Sequence, residues 1–394
     1  MQKKKLTPMN EVILIAYAIS PTEGSESGAG WALLRAHIYL KHDVTLVTTG
    51  SELKKLREDN EFSSLKIKVV EIPEFKFLTK YSHMIPFSIQ LRHLVWNLQI
   101  FRTVRRLTRT DPNLIVHYGT YAGDWNINIL HLLNSSVYKL WGPVGGAQRI
   151  PLKFMISLGP RGIIEDISKR LVGSTFRTII KKRLSNSKSV ILCANSATYQ
   201  TYFKSTRVLL AQNIVLENLY PGLTERKSNI VFGCGRLIPW KNWKLAILAM
   251  KYVDDKHLII AGEGPDSHRL EKLIDKHKLR GKVSLIGRIE RELVLQYMRE
   301  CDAFVFPSLR DSASWALAEG VLLNCKVVAL DLPGSAAVTG KSGVVLIDSD
   351  QTNLEKSFGN AISSNLAVRN YGVEFDLTRL AEVIEESIKE VLRT

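Results

Sequence analysis

The strongest constraint in this chain of 394 residues is an alternation of short apolar runs with helical stretches that stops once and then restarts. Residues 11–18, Glu-Val-Ile-Leu-Ile-Ala-Tyr-Ala, are short, rich in β-branched side chains and followed by a Ser-Pro-Thr-Glu-Gly turn, which predicts a buried strand. A helical stretch over residues 30–40 and a second strand over 44–49 complete a βαβ unit. Such units impose a parallel sheet, because parallel strands need a long crossover. The alternation continues with a strand at 66–72, a helix at 86–107 and strands at 114–117, 189–194 and 208–210. Tyr220-Pro-Gly-Leu-Thr-Glu-Arg-Lys-Ser228 then reads as a linker. Beyond it, strands at 230–235, 257–261, 283–286, 303–306 and 326–330 alternate with helices at 243–252, 266–279, 291–300 and 315–323. The expected fold class is α/β, with two doubly wound, Rossmann-like domains. The first covers 1–218, a linker 219–229 and the second 230–372; a last helical segment, 373–394, is expected to pack back on the first domain. Ligands of such sheets bind beyond the carboxyl ends of the strands.

The length supports two domains, since single cores stop growing at about 250–300 residues. With 45% apolar and 23% charged residues the chain can fill both cores. No apolar run approaches the roughly 18–20 residues that span a bilayer. The opening Met-Gln-Lys-Lys-Lys-Leu lacks the apolar region of a secretory signal. Cys193, Cys234, Cys301 and Cys325 are too widely spaced for a metal knuckle or a disulfide framework, so a reducing, cytoplasmic setting is expected. The net charge of +16 is uneven: residues 1–230 carry +16 and residues 231–394 carry zero. The excess charge therefore belongs to the first part of the chain.

Three tempting motifs fail on spacing or context. Gly28-Ala-Gly30 lies between a strand and a helix, but Leu33 occupies the third glycine position of a dinucleotide loop, and the second strand ends in Thr48-Thr49 where a ribose-holding acid would stand. Gly334 and Gly340-Lys341-Ser342 are one residue too far apart for a phosphate-binding P-loop, and a strand follows where the motif needs a helix. Asp348-Ser-Asp350 reads as a turn after a strand. No metal site is expected.

Four features survive, each at the end of a strand or on the helix after it. Gly233-Cys-Gly235-Arg236-Leu-Ile-Pro-Trp-Lys241-Asn242 places two cations about a proline turn, a fork and a point charge suited to a diphosphate. Ala261-Gly262-Glu-Gly264-Pro265 is a glycine turn that lets backbone approach a ligand closely. Phe306-Pro-Ser-Leu-Arg-Asp311 leads into a helix capped near Ser312, whose free N–H groups suit an anion. Glu319, about two turns into that helix, can accept hydrogen bonds from a ribose diol.

These motifs resemble the retaining GT-B glycosyltransferases of family 4, closely over residues 230–347 and more loosely over 11–220. The resemblance implies that Arg236 and Lys241 neutralise the diphosphate of a nucleotide-sugar donor, that Glu319 holds the ribose and that Asp311 lies near the donor sugar. It also places Gly24, Ser25, Gly262, Gly264, Ile289, Ser312, Ala313 and Ser314 on the donor side, and His117 and Gly145, the latter in the loop Trp141-Gly-Pro-Val-Gly-Gly146, on the acceptor side. Three departures bear on the donor sugar. Asp311 is a methylene shorter than the usual glutamate, Asn242 replaces a glycine, and Ser312-Ala-Ser-Trp315 replaces a Gly-aromatic-Gly pattern. The implied activity is metal-independent sugar transfer, with no cofactor, to a saccharide or lipid-linked saccharide in cell-envelope polysaccharide biosynthesis.

The acceptor side carries the charge. Phe75-Lys-Phe77-Leu-Thr-Lys80, then Arg92, Arg102, Arg105, Arg106 and Arg109, are interleaved with Trp96 and Phe101; Arg161, Lys169, Arg170, Arg177, Lys181, Lys182 and Arg183 follow. Basic amphipathic helices of this kind lie on anionic membranes, so a peripheral position at the inner face of the cytoplasmic membrane is expected. Two rival readings are an inactive GT-B scaffold or partner subunit and a nucleic-acid-binding protein. The second lacks a zinc pattern, an RRM motif or a basic recognition helix, and no nucleic-acid partner is expected.

Overall fold

The structure is a computed structural model; it describes residues 10–74, 88–111, 113–124, 128–212, 214–216, 219, 227–339, 344–365 and 375–393. The basic stretch 75–80, linker residues 220–226 and Lys341-Ser342 lie outside the described residues. The chain divides into two compact units.

The first unit comprises Met1–Ala147, Leu171–Val215 and Asp376–Thr394. In chain order its elements are β1 (Glu11–Ile15), α1 (Ser25–Tyr39), β2 (Asp43–Thr49), α2 (Gly50–Arg57), α3 (Asn60–Ser64), β3 (Lys68–Ile72), α4 (Ser88–Thr110), β4 (Ile115–Tyr118), β5 (Tyr138–Val144), α5 (Gly159–Ser185), β6 (Ser189–Cys193), α6 (Ser196–Tyr202) and β7 (Arg207–Leu210). The strands form one parallel sheet in the order β3-β2-β1-β4-β5-β6-β7. Both faces are covered, which is why β1, β4 and β6 read as near-continuous apolar runs. Helix starts carry side-chain caps: Thr49 accepts from the Glu52 N–H, Asp59 from Phe62 and Asn195 from Thr198.

The second unit comprises Gln148–Arg170 and Leu216–Phe375. It contains β8 (Lys227–Cys234), α7 (Trp243–Ala249), β9 (His257–Ala261), α8 (Ser267–Lys276), β10 (Val283–Leu285), α9 (Arg291–Glu300), β11 (Cys301–Phe306), α10 (Trp315–Leu322), β12 (Lys326–Leu330), α11 (Pro333–Thr339), β13 (Val344–Ile347) and α12 (Leu354–Ser363). Its parallel sheet has the order β10-β9-β8-β11-β12-β13. The last helix, α13 (Leu377–Leu392), counts with the first unit, where Leu380, Ile384 and Ile388 share a core with Leu33, Leu34 and Ala36 of α1.

Several sequence expectations need correcting. Residues 138–144 form an inner strand, where the sequence read 141–146 as a loop; its pairing is irregular between Trp141 and Val144. Residues 148–170, placed in the first domain by the sequence, count with the second unit: Ile150 and Leu158 belong to its core. The first helix begins at Ser25 rather than 30, and the strand after the linker begins at Lys227 rather than 230. Helix 243–252 is α-helical only to Ala249 and ends in a 3-10 turn, Met250–Tyr252.

Candidate active site

In each sheet the strand order reverses between two neighbours, β1 and β4 in the first and β8 and β11 in the second. The carboxyl ends of such a pair are where an open α/β sheet binds ligands. The loops carrying Arg236 and Lys241 follow β8, and the loop carrying Asp311 follows β11, so the three flank the switch point of the second sheet.

Glycine turns hold the β8 loop against the β9 loop, main chain to main chain. The Gly235 N–H donates to Ala261 O at 2.9 Å, and the Leu237 N–H to Glu263 O at 2.8 Å. Gly262 has φ +148° and Gly264 φ +159°; a Cβ on the first would meet Gly235 O at 2.0 Å and on the second Leu237 O at 2.3 Å. Only glycine tolerates both the backbone conformation and the approach. Asn242 takes a left-handed conformation, φ 53°, between the Pro239–Lys241 3-10 turn and α7. Asparagine adopts this conformation more readily than most side chains.

This frame sets the charges. The Lys241 ammonium donates to Asp311 Oδ2 at 2.8 Å and sits 5.0 Å from the centre of the Phe306 ring. Arg236 is exposed, and no side-chain ion pair is formed by it among the described residues. Glu319 is buried on α10, with Arg291 Nη2 of α9 2.5 Å from its Oε1. Burial pushes the Glu319 carboxyl up, and Arg291 opposes that shift. Burial also raises the Cys234 thiol to about 12, helped by the field of Glu319 and opposed by that of Lys241 and Arg291. The thiol at the end of β8 thus senses both halves of the cluster. The cap of α10 is Ser314, whose Oγ accepts from Leu317 N, not Ser312; Glu319 therefore stands a little over one turn into the helix rather than two. Ser312 and Ala313 are half-buried in the loop before it, and Ile289 is half-buried just ahead of α9.

One part of the site had no sequence signal. Asp166, 2% exposed on α5, accepts from Arg310 Nη1 at 2.9 Å and from Arg170 Nε. The Arg310 guanidinium lies 5.1 Å from the Trp240 ring and the Lys169 ammonium 4.9 Å from it. Trp240 lies in the turn that presents Lys241, and Arg310, the residue before Asp311, is held by Asp166. No local pattern could have revealed an acid about 144 residues upstream of its arginine, a separation that sets only in the folded chain.

The first-unit candidates are placed as follows. Gly24 is the residue before α1, and Ser25 opens the helix with φ 59°. Nearby, Glu26 accepts from the Tyr121 N–H at 3.0 Å and Glu52 from the Ile19 N–H at 2.9 Å, tying the loops after β1 and β4 to fixed helices. Gly145 bridges to Gly123 and accepts from the Asp124 N–H at 3.0 Å.

His117, expected on the acceptor side, is enclosed in the first unit. Its ring is fully enclosed: Nε2 is 2.9 Å from Gly142 O, and Nδ1 is 2.7 Å from His37 Nε2. His37 Nδ1 in turn meets His42 Nδ1 at 2.9 Å. Burial holds His117 and His42 down to about 4 and His37 well below the usual range, so all three are neutral at pH 7. A carbonyl oxygen can only accept, so His117 carries its proton on Nε2 and accepts at Nδ1. His37 then donates from Nε2 and accepts at Nδ1, and His42 donates from Nδ1. One tautomer assignment satisfies the whole chain, leaving His117 no free nitrogen for a substrate.

The chain is similar to known proteins in one segment and in its fold. Residues 221–372 match the family model described as glycosyl transferases group 1. A phosphatidylinositol N-acetylglucosaminyltransferase subunit of Saccharomyces cerevisiae is 27% identical over 133 residues, 31% of this chain and 29% of that one. The N-acetylgalactosamine-N,N'-diacetylbacillosaminyl-diphospho-undecaprenol 4-alpha-N-acetylgalactosaminyltransferase of Campylobacter jejuni is 33% identical over 127 residues, 31% of this chain and 34% of that one. The match thus spans about a third or less of the length of these curated relatives. The crystal structure of Anabaena HepE in complex with UDP superposes with a TM-score of 0.62 at 14% identity, covering 97% of this chain and 100% of that one. The chain has the GT-B glycosyltransferase fold, two parallel sheets of Rossmann-like α/β type, and its segment 221–372 matches the group 1 glycosyl transferases.

Proposed function

We propose that the protein is a retaining glycosyltransferase that moves a sugar from a nucleotide-diphosphate donor to a saccharide or lipid-linked saccharide acceptor in envelope polysaccharide assembly. The observation that carries this reading is the Lys241–Asp311 pair at the switch point, beside exposed Arg236 and buried Glu319. Transfer needs stabilisation of an oxocarbenium-like centre and of a departing diphosphate. Fixed cations supply this by electrostatic preorganisation. In this reading Arg236 and Lys241 receive the diphosphate, Glu319 the ribose diol, and Asp311 orients Lys241 beside the sugar. The α10 start, Ser312 to Ser314, completes the donor side of the second unit, and the reaction proceeds without a resident metal. Yeast, Campylobacter and Anabaena relatives whose names or structures carry N-acetylhexosamine transfer or bound UDP support this choice of donor class.

The membrane part of the reading rests on α4. Its buried face holds His93, Trp96, Ile100 and Val104; its exposed face carries Leu91, Leu94 and Leu98, then Arg102, Arg105 and Arg109. Among the described residues no helix is long and apolar enough to cross a membrane. A leucine stripe continuing into arginines suits the surface of an anionic bilayer.

A thermal-shift panel of nucleotide sugars identifies the donor. With that donor, Lys241→Ala is expected to lower turnover about a hundredfold or more, with EDTA leaving the wild type unchanged. Wild-type turnover in Lys241→Ala refutes the site, and loss of turnover in EDTA refutes the metal-free chemistry. Cosedimentation with phosphatidylglycerol vesicles at low salt tests the membrane part, which fails if the protein stays in the supernatant.

A further inference from the structure

A second concentration of positive charge lies at the other end of the first sheet. β5 and β6 run parallel, and a cavity of about 540 Å³ opens beside their amino ends, bounded by residues 130–139 and the last turns of α5. Lys139, Lys182 and Arg183 line it, and no carboxylate does. The loop after β1, which leads to Gly24 and Ser25, follows the opposite, carboxyl end of the same parallel sheet.

The polar groups here are built in and underused. Lys139 is 2% exposed, yet its ammonium makes one hydrogen bond among the described residues, to Leu133 O at 3.2 Å. An ammonium has three donors, so two are unspent. Burying an unpaired charge is costly, and no acid lies within ion-pair distance of Lys139 among the described residues to offset it. Arg183 donates to His131 O at 2.9 Å and likewise has no acidic partner there. His131, 3% exposed on the cavity wall, has no hydrogen bond at either ring nitrogen among the described residues. Its ring is held edge-on against Trp141, with centroids 4.8 Å apart, so it is fixed without being satisfied. Natural interiors seldom leave a buried imidazole and a buried ammonium short of partners.

We propose that this cavity binds a phosphoryl group, with Lys139, Arg183 and Lys182 as its cationic donors and His131 as a further hydrogen-bond partner. A carboxylate offers one charge and two oxygens. A phosphate monoester offers up to about two charges and three terminal oxygens, which matches three cations and an imidazole. The volume exceeds that of the phosphoryl group alone, so the ligand carries more, such as a glycerol or sugar residue. This assignment does not depend on the donor-site reading.

The test is calorimetric titration of the full chain with glycerol 3-phosphate, with acetate as the carboxylate control, alongside vesicle binding to phosphatidic acid against phosphatidylcholine. Saturable binding of glycerol 3-phosphate, weakened about tenfold or more in Arg183→Gln and Lys139→Met, supports a soluble phosphate ester as the source. Binding confined to phosphatidic acid vesicles, with the same loss in the variants, supports a lipid headgroup. Lys241→Ala should leave either response intact. Arg183→Gln alters a partly exposed side chain and decides the matter if Lys139→Met fails to fold. The proposal is overturned if folded wild-type protein binds neither probe, if acetate binds equally well, if Arg183→Gln binds like the wild type, or if Lys241→Ala abolishes the response.

Discussion

Replacing His117 with Phe isolates the histidine chain of the first unit. The ring volume is nearly kept, so the change removes two hydrogen bonds without opening a large cavity. It strands Gly142 O and the His37 Nε2–H, both fully enclosed. Each unsatisfied buried group costs about 1–3 kcal/mol, so the loss is about 2–6 kcal/mol, a large part of the roughly 5–15 kcal/mol that holds a domain together. With an m-value of about 3 kcal/mol/M, the upper end that suits a unit of this size, the urea midpoint of the first-unit transition should fall by about 0.7–2 M. Hydrogen exchange at β1 and β4 amides assigns that transition to the right unit. His268→Phe, with its side chain 76% exposed, serves as the control. The pH dependence gives an independent sign. The folded-state values of His117 and His42 lie at about 4 against 6.5 for a free imidazole, so the unfolded chain binds more protons between those limits. Stability from these groups is complete above pH 6.5 and is lost as pH falls toward 4. His117→Phe removes one of these groups, so its stability should fall less steeply between pH 7 and 5 than the wild type's. An unfolding free energy within about 0.5 kcal/mol of the wild type's, or an unchanged pH slope, would refute the hydrogen-bonded neutral chain.

Three further outcomes follow from the geometry. Ser25→Gly should raise stability by about 0.5–1 kcal/mol, because Ser25 holds φ 59° against the left-handed penalty of a side chain; a lower melting temperature contradicts this. Glu319→Gln should weaken binding of the matching nucleoside diphosphate about tenfold, measured by calorimetry; unchanged affinity removes the ribose role. Asp166→Asn should destabilise the second unit by about 3–5 kcal/mol, since Arg310 keeps its charge in a largely enclosed place. A double-mutant cycle with Arg310→Met that shows no coupling would count against the Asp166 clamp.

The second sheet was the more readable of the two, because its turns are written in local chemistry. Gly235, Gly262, Gly264 and Pro307 mark where strands stop, and Arg236, Lys241, Asp311 and Glu319 follow them at short spacing. Lys241 and Asp311 meet 2.8 Å apart, a contact that no spacing in the sequence announces. The first unit was harder to read. β5 contains Gly142 and Pro143, which local propensity assigns to a loop; the strand lies between β4 and β6 and takes them up as an irregularity between Trp141 and Val144. A histidine closing a strand looked free to meet a substrate. Its partners, His37 and Gly142, come from α1 and β5, and no single-sequence pattern links those positions. The Asp166 clamp was invisible for the same reason. Helix α5 starts Gly-Pro-Arg-Gly, a poor helical opening, and its first turns count with a unit otherwise formed far downstream.

The interlocked turns after β8 and β9 have a consequence for how specificity can drift. Their mutual grip runs through Gly235, Leu237, Ala261 and Glu263 main-chain atoms and the bare α-carbons of Gly262 and Gly264. The side chains at positions 236 and 263 take no part in it. Those two positions can therefore be exchanged, singly or together, while the scaffold beneath them stays rigid. The loop works as a fixed socket with interchangeable pins, so a library confined to residues 236 and 263 should sample new ligand preferences with little loss of folded protein.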